Sequence, residues 1–426
     1  METIKGFHDV LPPQSGRRER FTRQACAVLE TYGFSRIDLP LLEKGELFVR
    51  SVGATTDIVE KEMYSFADRD KEHTLLALRP EGTASVVRAF VDAGGARRLP
   101  EARLYYTGPM FRRERPQKGR LRQFHQIGAE AFGRDDPSAD AEIICLVDDV
   151  CRAVGLTGVR IRINSLGDAA CRPGYRARLA EWAGGRVDDL CGDCRARLQR
   201  NPLRILDCKN EKCVAITAEA PMMVDHLCEP CGVHYERVLS LLSTTGPVVE
   251  QAPRLVRGLD YYCRTAFEIT VDHPQLGAQN AIGGGGRYDG LVATLGGTDT
   301  AGIGFALGIE RMELAGAGTA DDDDRPEIVI IPISAEAEDA ALGLARKLRI
   351  AGAVVLVGSA ERKLKAQMKR ADRVGAQYAV ILGPDELATG RPALRDMIHK
   401  VDSDGCFDLE SDAVAILERI RKVGTH

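Results

Sequence analysis

Of the twelve residues from Arg112 to Gln123 (RRERPQKGRLRQ), six are arginine or lysine and one is glutamate, a local charge of +5. A charge run is usually a solvated loop, and charge alone would support no more than that. Two features argue otherwise. Apolar residues anchor both ends (Tyr105, Tyr106 and Phe111 before it, Phe124 and Ile127 after it), and Pro116 with Gly119 sets a turn inside it. Guanidinium groups projected from a rigid hairpin suit two-point binding of phosphate oxygens.

A glycine run, Gly283 to Gly286, leads into Arg287-Tyr-Asp. Glycines leave room for a flat ligand to lie against the backbone, although a plain tight bend explains them equally well. Gly302, Gly304 and Gly308 approach a dinucleotide-binding fingerprint but miss its spacing by one, and no ribose-binding acid follows. We reject that reading. Arg257-Gly-Leu-Asp-Tyr-Tyr262 places charge and two adjacent tyrosines ahead of a strand; tyrosine pairs are usually core, so the segment alone supports little.

Cysteine supplies the last chemistry. The chain has 12, and six fall between 191 and 231. Cys191-x2-Cys194 and Cys228-x2-Cys231 flank Cys208 and Cys213, and two such knuckles are a zinc-ribbon spacing. The 33 residues between the pairs exceed the usual interval, however, and the thiols could equally pack as small apolar groups. Whether they hold a structural zinc stays open at this level.

These residues must be positioned by elements, and the chain divides into four stretches. In residues 1–166, Arg18 to Tyr32 has helical spacing that ends at Gly33, and strand patterns follow at Phe34–Pro40, Leu75–Arg79, Ala102–Thr107 and Phe124–Phe132, the last interrupted by Gly128. Long polar turns between them favour antiparallel pairing over repeated βαβ units. Residues 167–247 are polar, cysteine-rich and turn-rich before a helix at Val233–Leu242, and read as an insertion. Residues 248–320 return to strands at Tyr262–Val271 and Ala281–Gly290, then pass from strand into helix over Gly302–Met312. Gly316 to Pro326 is a linker by composition. From 326 to 426, strands at Glu327–Pro332, Val354–Val357 and Tyr378–Leu382 alternate with helices at Glu336–Ala351, Arg362–Ala376 and Asp412–Lys422, an α/β domain. Within it Glu361–Arg373 carries six basic residues and two acids, which is a solvated helix face unless it meets phosphate.

Composition bounds the function. With 426 residues, 44% hydrophobic and 28% charged, and a net charge of −4, the chain is not a basic protein held to nucleic acid by bulk charge. Its longest apolar runs, such as Ile328–Ile331, fall far short of the roughly 18 residues of a membrane helix. The first twenty residues lack the apolar stretch of a signal peptide, so a soluble, cytoplasmic protein is expected, with reduced thiols and no membrane.

Taken in order, the segments resemble one family. Gly6–Pro12 (GFHDVLP), Leu78–Thr83 (LRPEGT), Phe111–Gln117 running to Phe124–Glu130, Arg257–Tyr262, Gly284–Gly290 and Gly302–Arg311 are similar to the histidyl-tRNA synthetases. The likeness continues through Gln367–Asp372 and Ala379–Gly383 and so spans nearly the whole chain. Arg257–Tyr262 is the segment specific to that family, and the others are variants of the class II synthetase motifs.

The resemblance implies an α+β catalytic core, an antiparallel sheet flanked by helices, with an inserted small domain and a C-terminal α/β anticodon-binding domain, in a homodimer. It implies two steps: histidine and ATP give histidyl-adenylate and pyrophosphate, and the histidyl group passes to the 3′ end of the histidine tRNA. Arg112, Arg257 and Arg311 would be catalytic, with Arg112 on the α-phosphate and carboxylate, Arg311 on the triphosphate tail, and Arg257 as a fixed charge at the α-phosphate that also touches histidine. Histidine recognition would fall to Glu81, Thr83, Gln126, Glu130, Tyr261 and Tyr262, with Glu130 and a tyrosine hydroxyl holding the imidazole nitrogens. Arg115 and Gln117 would meet tRNA. One Mg²⁺ is expected with ATP on its outer phosphates. No residue is assigned as a catalytic metal ligand, and His8 and His125 are read as structural. Two rivals differ in class. A non-catalytic regulatory subunit of ATP phosphoribosyltransferase resembles the fold but lacks the anticodon domain and degrades the Arg257 segment. A zinc-ribbon nucleic-acid binder would explain the cysteines and leave the arginines and glycines without purpose.

Overall fold

Alternating side chains with opposite tastes make a strand two-faced, and the central strands of this chain follow that rule. Ile127 and Ala129, Ile161 and Ile163, Phe267 and Ile269, and Ile303, Phe305 and Leu307 all enter one buried apolar cluster. The residues between them face the other way. The computed structural model describes residues 2–54, 56–277, 280–318, 325–404 and 407–423.

Eight strands form one sheet in the order Ser35–Arg36, Arg103–Phe111, Gln123–Phe132, Gly302–Gly308, Ala281–Arg287, Cys263–Val271, Val159–Ser165, Val249–Gln251. The six inner strands pair antiparallel, and each edge strand adds in parallel. The helices Gln14–Thr31, Pro137–Ala153 and Glu229–Thr245 cover the apolar face, contributing Phe21, Ala25 and Leu29 from the first at helical spacing. A second sheet of three short strands, Leu42–Lys44, Leu75–Leu78 and Tyr64–Ala67, stands apart. This is the large flanked sheet expected of a class II core.

Several strands differ from the sequence reading for local reasons. The strand expected over 34–40 pairs only at Ser35–Arg36, with one further bond from the Ile37 N–H to the Tyr105 carbonyl at 2.8 Å. Pro40 has no N–H to extend it. Gln123–Phe132 runs without interruption, because Gly128 is the place where the Tyr106 ring lies against the backbone. The glycine run 283–286 is an inner strand paired on both sides, with shifts of register against Cys263–Val271 at Ala281/Gly283 and at Gly286/Arg287.

Between Ser165 and Val249 the chain leaves the sheet for short helices, Arg172–Gly184, Gly192–Arg200 and Glu211–Thr217, before Glu229–Thr245 returns. Their small core includes Tyr175, Leu179, Leu190 and Ile205 together with Cys194 and Cys213. Residues Met1–Ala320 make one compact unit and Asp321–His426 a second. Positions 319–324 of the expected linker lie outside the described residues.

The second unit holds a five-stranded sheet, Val355–Val357, Ile328–Pro332, Tyr378–Leu382, Ala393–Asp396, Val401–Asp404, parallel in its first two pairings and antiparallel in its last two. Glu336–Ile350, Leu364–Arg373 and Ala413–Val423 supply its main helices. The last two strands escaped the sequence reading, being four residues each with polar faces. No described helix is long and apolar enough to cross a membrane.

Candidate active site

The sheet face turned away from the apolar core is floored with small residues. Across it, Gly128 pairs with Ala306, Ala306 with Gly284 and Gly284 with Glu268. The adjacent row runs Glu130, Gly304, Gly286, Ala266. Above this floor lies a cavity of about 850 Å³, whose walls include Glu81, Arg112, Gln126, Arg257, Tyr261 and Arg311. Thr83, Tyr262 and Glu268 line it as well.

Arg257 reaches over the floor because Gly284 has no side chain: a Cβ there would collide with the guanidinium. The Arg257 Cζ stands 5.6 Å from the Tyr262 ring centroid, and Nη1 lies 3.6 Å from Glu268 Oε1. Its Nε is buried with no partner. Arg112 is held by Nε donation to the Pro80 carbonyl at 2.9 Å and rests 5.2 Å from the centroid of Phe124. Arg311 donates from Nε to the Ala281 carbonyl and from Nη1 to the Gly119 carbonyl, the latter at 3.4 Å. Three arginines therefore approach one space from different elements, each oriented by backbone oxygens, an aromatic ring or a carboxylate.

Polar side chains of other types stand beside them. Glu81 accepts the backbone amides of Thr83 (2.7 Å) and Ala84 (2.9 Å) at the first turn of the helix Thr83–Asp92. Burial raises its pKa, while those two amides and Arg112 oppose the rise. Gln126 lines the cavity, and its Oε1 is buried without a hydrogen-bond partner, an acceptor with capacity to spare. The rings of Tyr261 and Tyr262 pack with centroids 4.6 Å apart.

Glu130 is fully buried and does not line the cavity itself. It accepts from Thr83 Oγ1 at 2.6 Å and from the Tyr288 hydroxyl at 2.5 Å. Loss of hydration pushes its pKa up to about 8, against the pull of those two hydroxyls. The folded chain thus keeps a proton that the unfolded chain gives up as pH rises through the ordinary carboxylate range. This group's contribution is full below about pH 4 and is lost as pH climbs towards 8. Glu130→Gln, an isostere of the neutral acid, should remove that slope. The unfolding free energy of the wild type relative to the variant should fall by on the order of 3 kcal/mol between pH 5 and pH 8.5 in denaturant titrations. A difference that is flat across this range would refute the assignment.

Arg115 and Gln117 stand elsewhere, exposed on the hairpin that joins Arg103–Phe111 to Gln123–Phe132. Gln117 and Arg120 exchange backbone bonds of 3.0 and 2.8 Å around Lys118 and Gly119, the latter at φ +74°. The hairpin divides its charge. Arg112 and Arg120 line the cavity, Arg120 pairing with Glu114 at 3.3 Å, while Arg113, Arg115 and Lys118 face solvent. His125 is tied to Glu310 by its backbone N–H and its Nδ1, both at 2.9 Å, and His8 is exposed.

Sequence reasoning left Tyr288 and Glu268 without roles. Tyr288 lay inside the glycine motif, but nothing in spacing says that its hydroxyl turns back to Glu130. Glu268 had a readable signal, a lone charge inside the apolar run Ala266–Val271.

The comparisons agree along the whole chain. The family profile described as "Histidyl-tRNA synthetase" matches residues 6–312, and one described as "Anticodon binding domain" matches residues 327–411. A histidine–tRNA ligase of Anaeromyxobacter sp. (strain K) is 49% identical over 92% of this chain and 94% of its own. That of Geobacter metallireducens is 46% identical over 95% and 97%. The solved structure of apo Staphylococcus aureus histidyl-tRNA synthetase superposes with a TM-score of 0.80 at 34% identity, covering 99% of this chain and 100% of that one. A flanked antiparallel sheet, arginines converging on a small-residue floor, and likeness over both compact units place the chain in the histidyl-tRNA synthetase family.

Proposed function

We propose that the chain ligates histidine to its tRNA through the cavity above the glycine floor. The observation that carries this is the approach of Arg112, Arg257 and Arg311 to one cavity that also holds Glu81, Gln126, Tyr261 and Tyr262. In the first step a carboxylate oxygen of histidine attacks the α-phosphorus of ATP, the bond to the bridging oxygen breaks, and pyrophosphate leaves. Negative charge grows on the phosphate oxygens, so positioned guanidinium groups stabilise the transition state more than the ground state. Arg112 engages the α-phosphate and the carboxylate, Arg257 the α-phosphate from the opposite side of the floor, and Arg311 the triphosphate tail. In the second step the terminal ribose hydroxyl attacks the histidyl carbonyl carbon, the acyl–phosphate bond breaks, and AMP leaves, its phosphate oxygens taking up the hydroxyl proton.

Glu81 and Gln126 accept from the α-ammonium. Thr83, Tyr261 and Tyr262 read the imidazole, with the buried Glu130 acting from behind through its bond with Thr83 Oγ1, and a site of paired polar groups separates the two ring nitrogens sharply from apolar isosteres. Arg115 and Gln117 on the outer hairpin meet the acceptor end. In the second unit, Arg362, Lys363, Lys365, Lys369 and Arg373 are all exposed, while Gln367 and Ala371 are buried beneath them, which suits phosphate contact by one helix face.

Mg²⁺ accompanies ATP in this proposal. Among the described residues, the groups of three or more metal-capable side chains are the two cysteine clusters, and neither is a carboxylate cage of the cavity. An ion brought in with ATP would therefore be held chiefly by the triphosphate oxygens, with single cavity-lining carboxylates such as Glu114 or Glu268 as the oxygen ligands the chain could offer; it would neutralise phosphate charge. We further propose a cytoplasmic homodimer, with residues 167–247 acting as an insertion between two parts of the catalytic core (1–166 and 248–320) and 326–426 reading the anticodon. The regulatory-subunit alternative is not favoured, since both the Arg257 segment and the anticodon-binding match are present.

ATP–pyrophosphate exchange without tRNA tests the reading. Exchange dependent on histidine and on no other amino acid is expected; its absence from folded protein would overturn the proposal.

A further inference from the structure

The cysteines of the excursion from the sheet do not pair as the ribbon spacing suggested. Cys191 and Cys194 converge with Cys208 and Cys213, and Cys228 and Cys231 converge with Cys171 and Asp168. Within each group the four candidate ligand atoms all lie within 4.8 Å of one another. We propose that each group binds one zinc ion, the first held by four thiolates within the small core and the second by three thiolates and a carboxylate at its base.

The geometry favours a single ion over the alternatives. A tetrahedral zinc with Zn–S bonds near 2.3 Å sets its sulfurs about 3.8 Å apart. Cys191 Sγ and Cys208 Sγ are 3.9 Å apart, much longer than a disulfide, and four sulfurs all within 4.8 Å of one another are too close for thiolates spread around a multi-iron cluster. Thiols packed merely as apolar groups have no reason to turn four sulfurs to one point. In the second group, Asp168 Oδ1 lies 3.6 Å from Cys171 Sγ and 3.8 Å from Cys228 Sγ.

The surroundings suit thiolates. The backbone N–H of Cys191 donates to Cys213 Sγ at 3.2 Å, and that of Asp168 donates to Cys171 Sγ at 3.4 Å. Cys171, Cys191 and Cys228 occupy the N-cap positions of three helices, Arg172–Gly184, Gly192–Arg200 and Glu229–Thr245, where the helix dipole favours negative charge. Both groups also combine half-buried members with sealed ones: Cys194 and Cys213 are fully buried and Cys231 nearly so.

The two ions would do different work. Asp168 follows closely on the strand Val159–Ser165, and Cys228 opens the helix that returns to the sheet core, so the second ion clasps both ends of the excursion. Closing a loop of that length at its neck removes chain entropy that a core of short helices repays poorly. The first ion ties those helices together and fixes the segment around Cys208, which with Asp207 and Lys209 lines the active-site cavity.

Metal content decides the matter. Untagged full-length protein, expressed with zinc and purified without chelator, should carry two zinc ions per chain and no iron. Cys194→Ser and Cys231→Ser should each reduce the count to one. X-ray absorption at the zinc edge, applied to the unaltered protein, does not depend on the variants folding, and should give seven sulfurs shared between two ions at about 2.3 Å. Fewer than half an ion per chain, or iron in place of zinc, would overturn both sites. One ion with a purely sulfur shell, lost with Cys194→Ser and indifferent to Cys231→Ser, would overturn the clasp at the neck.

Discussion

Arg257→Ala should slow histidine-dependent ATP–pyrophosphate exchange by roughly 10³-fold while leaving the melting temperature nearly unchanged. The arginine is poised for charge that appears only during reaction. It spans the cavity with an unpartnered Nε, its closest acid is Glu268 at 3.6 Å, and its face rests on Tyr262. A residue holding the fold would have saturated its donors at rest. The loss should fall on kcat more than on the KM for histidine, because the ground state offers this group less charge than the transition state. Lysine should not rescue it, since one ammonium cannot fork onto two oxygens. Gly284→Ala should reproduce part of the defect by pushing the same guanidinium aside, and should add little once Arg257 is already alanine. Steady-state exchange rates for the three single variants and the double check this; near-normal exchange in Arg257→Ala would end the assignment.

Asp140→Ala carries the largest expected cost in stability, about 3–5 kcal/mol. Asp140 and Arg287 are both wholly buried, and the arginine donates to Asp140 Oδ1 from Nε at 3.0 Å and from Nη2. The other carboxylate oxygen meets His234 Nε2 at 2.8 Å. Burial alone would raise the Asp140 pKa, but His234 and Arg287 outweigh it and hold the group below the usual range. Its stabilisation is therefore present above the ordinary aspartate pKa and is lost as pH falls through the depressed one. Alanine would strand a buried guanidinium whose remaining partners are Asp289 at 2.9 Å and the backbone carbonyls of Arg134 and Asp136. Replacing both partners with apolar residues, Asp140→Ala with Arg287→Met, should recover part of the loss. Urea unfolding of the wild type and both variants would show it, and a loss under 1 kcal/mol in Asp140→Ala would count against the network.

What could be read beforehand followed from what spacing encodes. The arginine hairpin was legible because apolar anchors and turn residues bracket its charge, and period-2 apolar runs such as Phe267–Ile269 announced inner strands. The glycine run was ambiguous. Only its neighbours across the sheet and the guanidinium above Gly284 reveal why side chains are missing there. The cysteines misled in a similar way. Proximity in sequence grouped the two knuckles, whereas the fold pairs Cys228 and Cys231 with Asp168-x2-Cys171, a knuckle in which one member is an ordinary aspartate. Strands of three or four residues, such as Leu42–Lys44 and Ala393–Asp396, are too short to carry a period.

The central sheet obeys two different rules of substitution. On its helical side, Ile, Val, Leu and Phe interlock with one another, and exchanges that keep volume can be absorbed by neighbours shifting. On its cavity side a neighbour can give way only by leaving the position the site needs. An added methyl at Gly128 meets the ring of Tyr106, at Gly284 the guanidinium of Arg257, and at Gly304 the carboxylate of Glu130. Those positions admit one residue type each, because the volume a side chain would need is already held by the groups that build the site. Drift in this protein is thus free to rewrite one surface of the sheet while the other stays closed to it, though both are drawn from the same six strands.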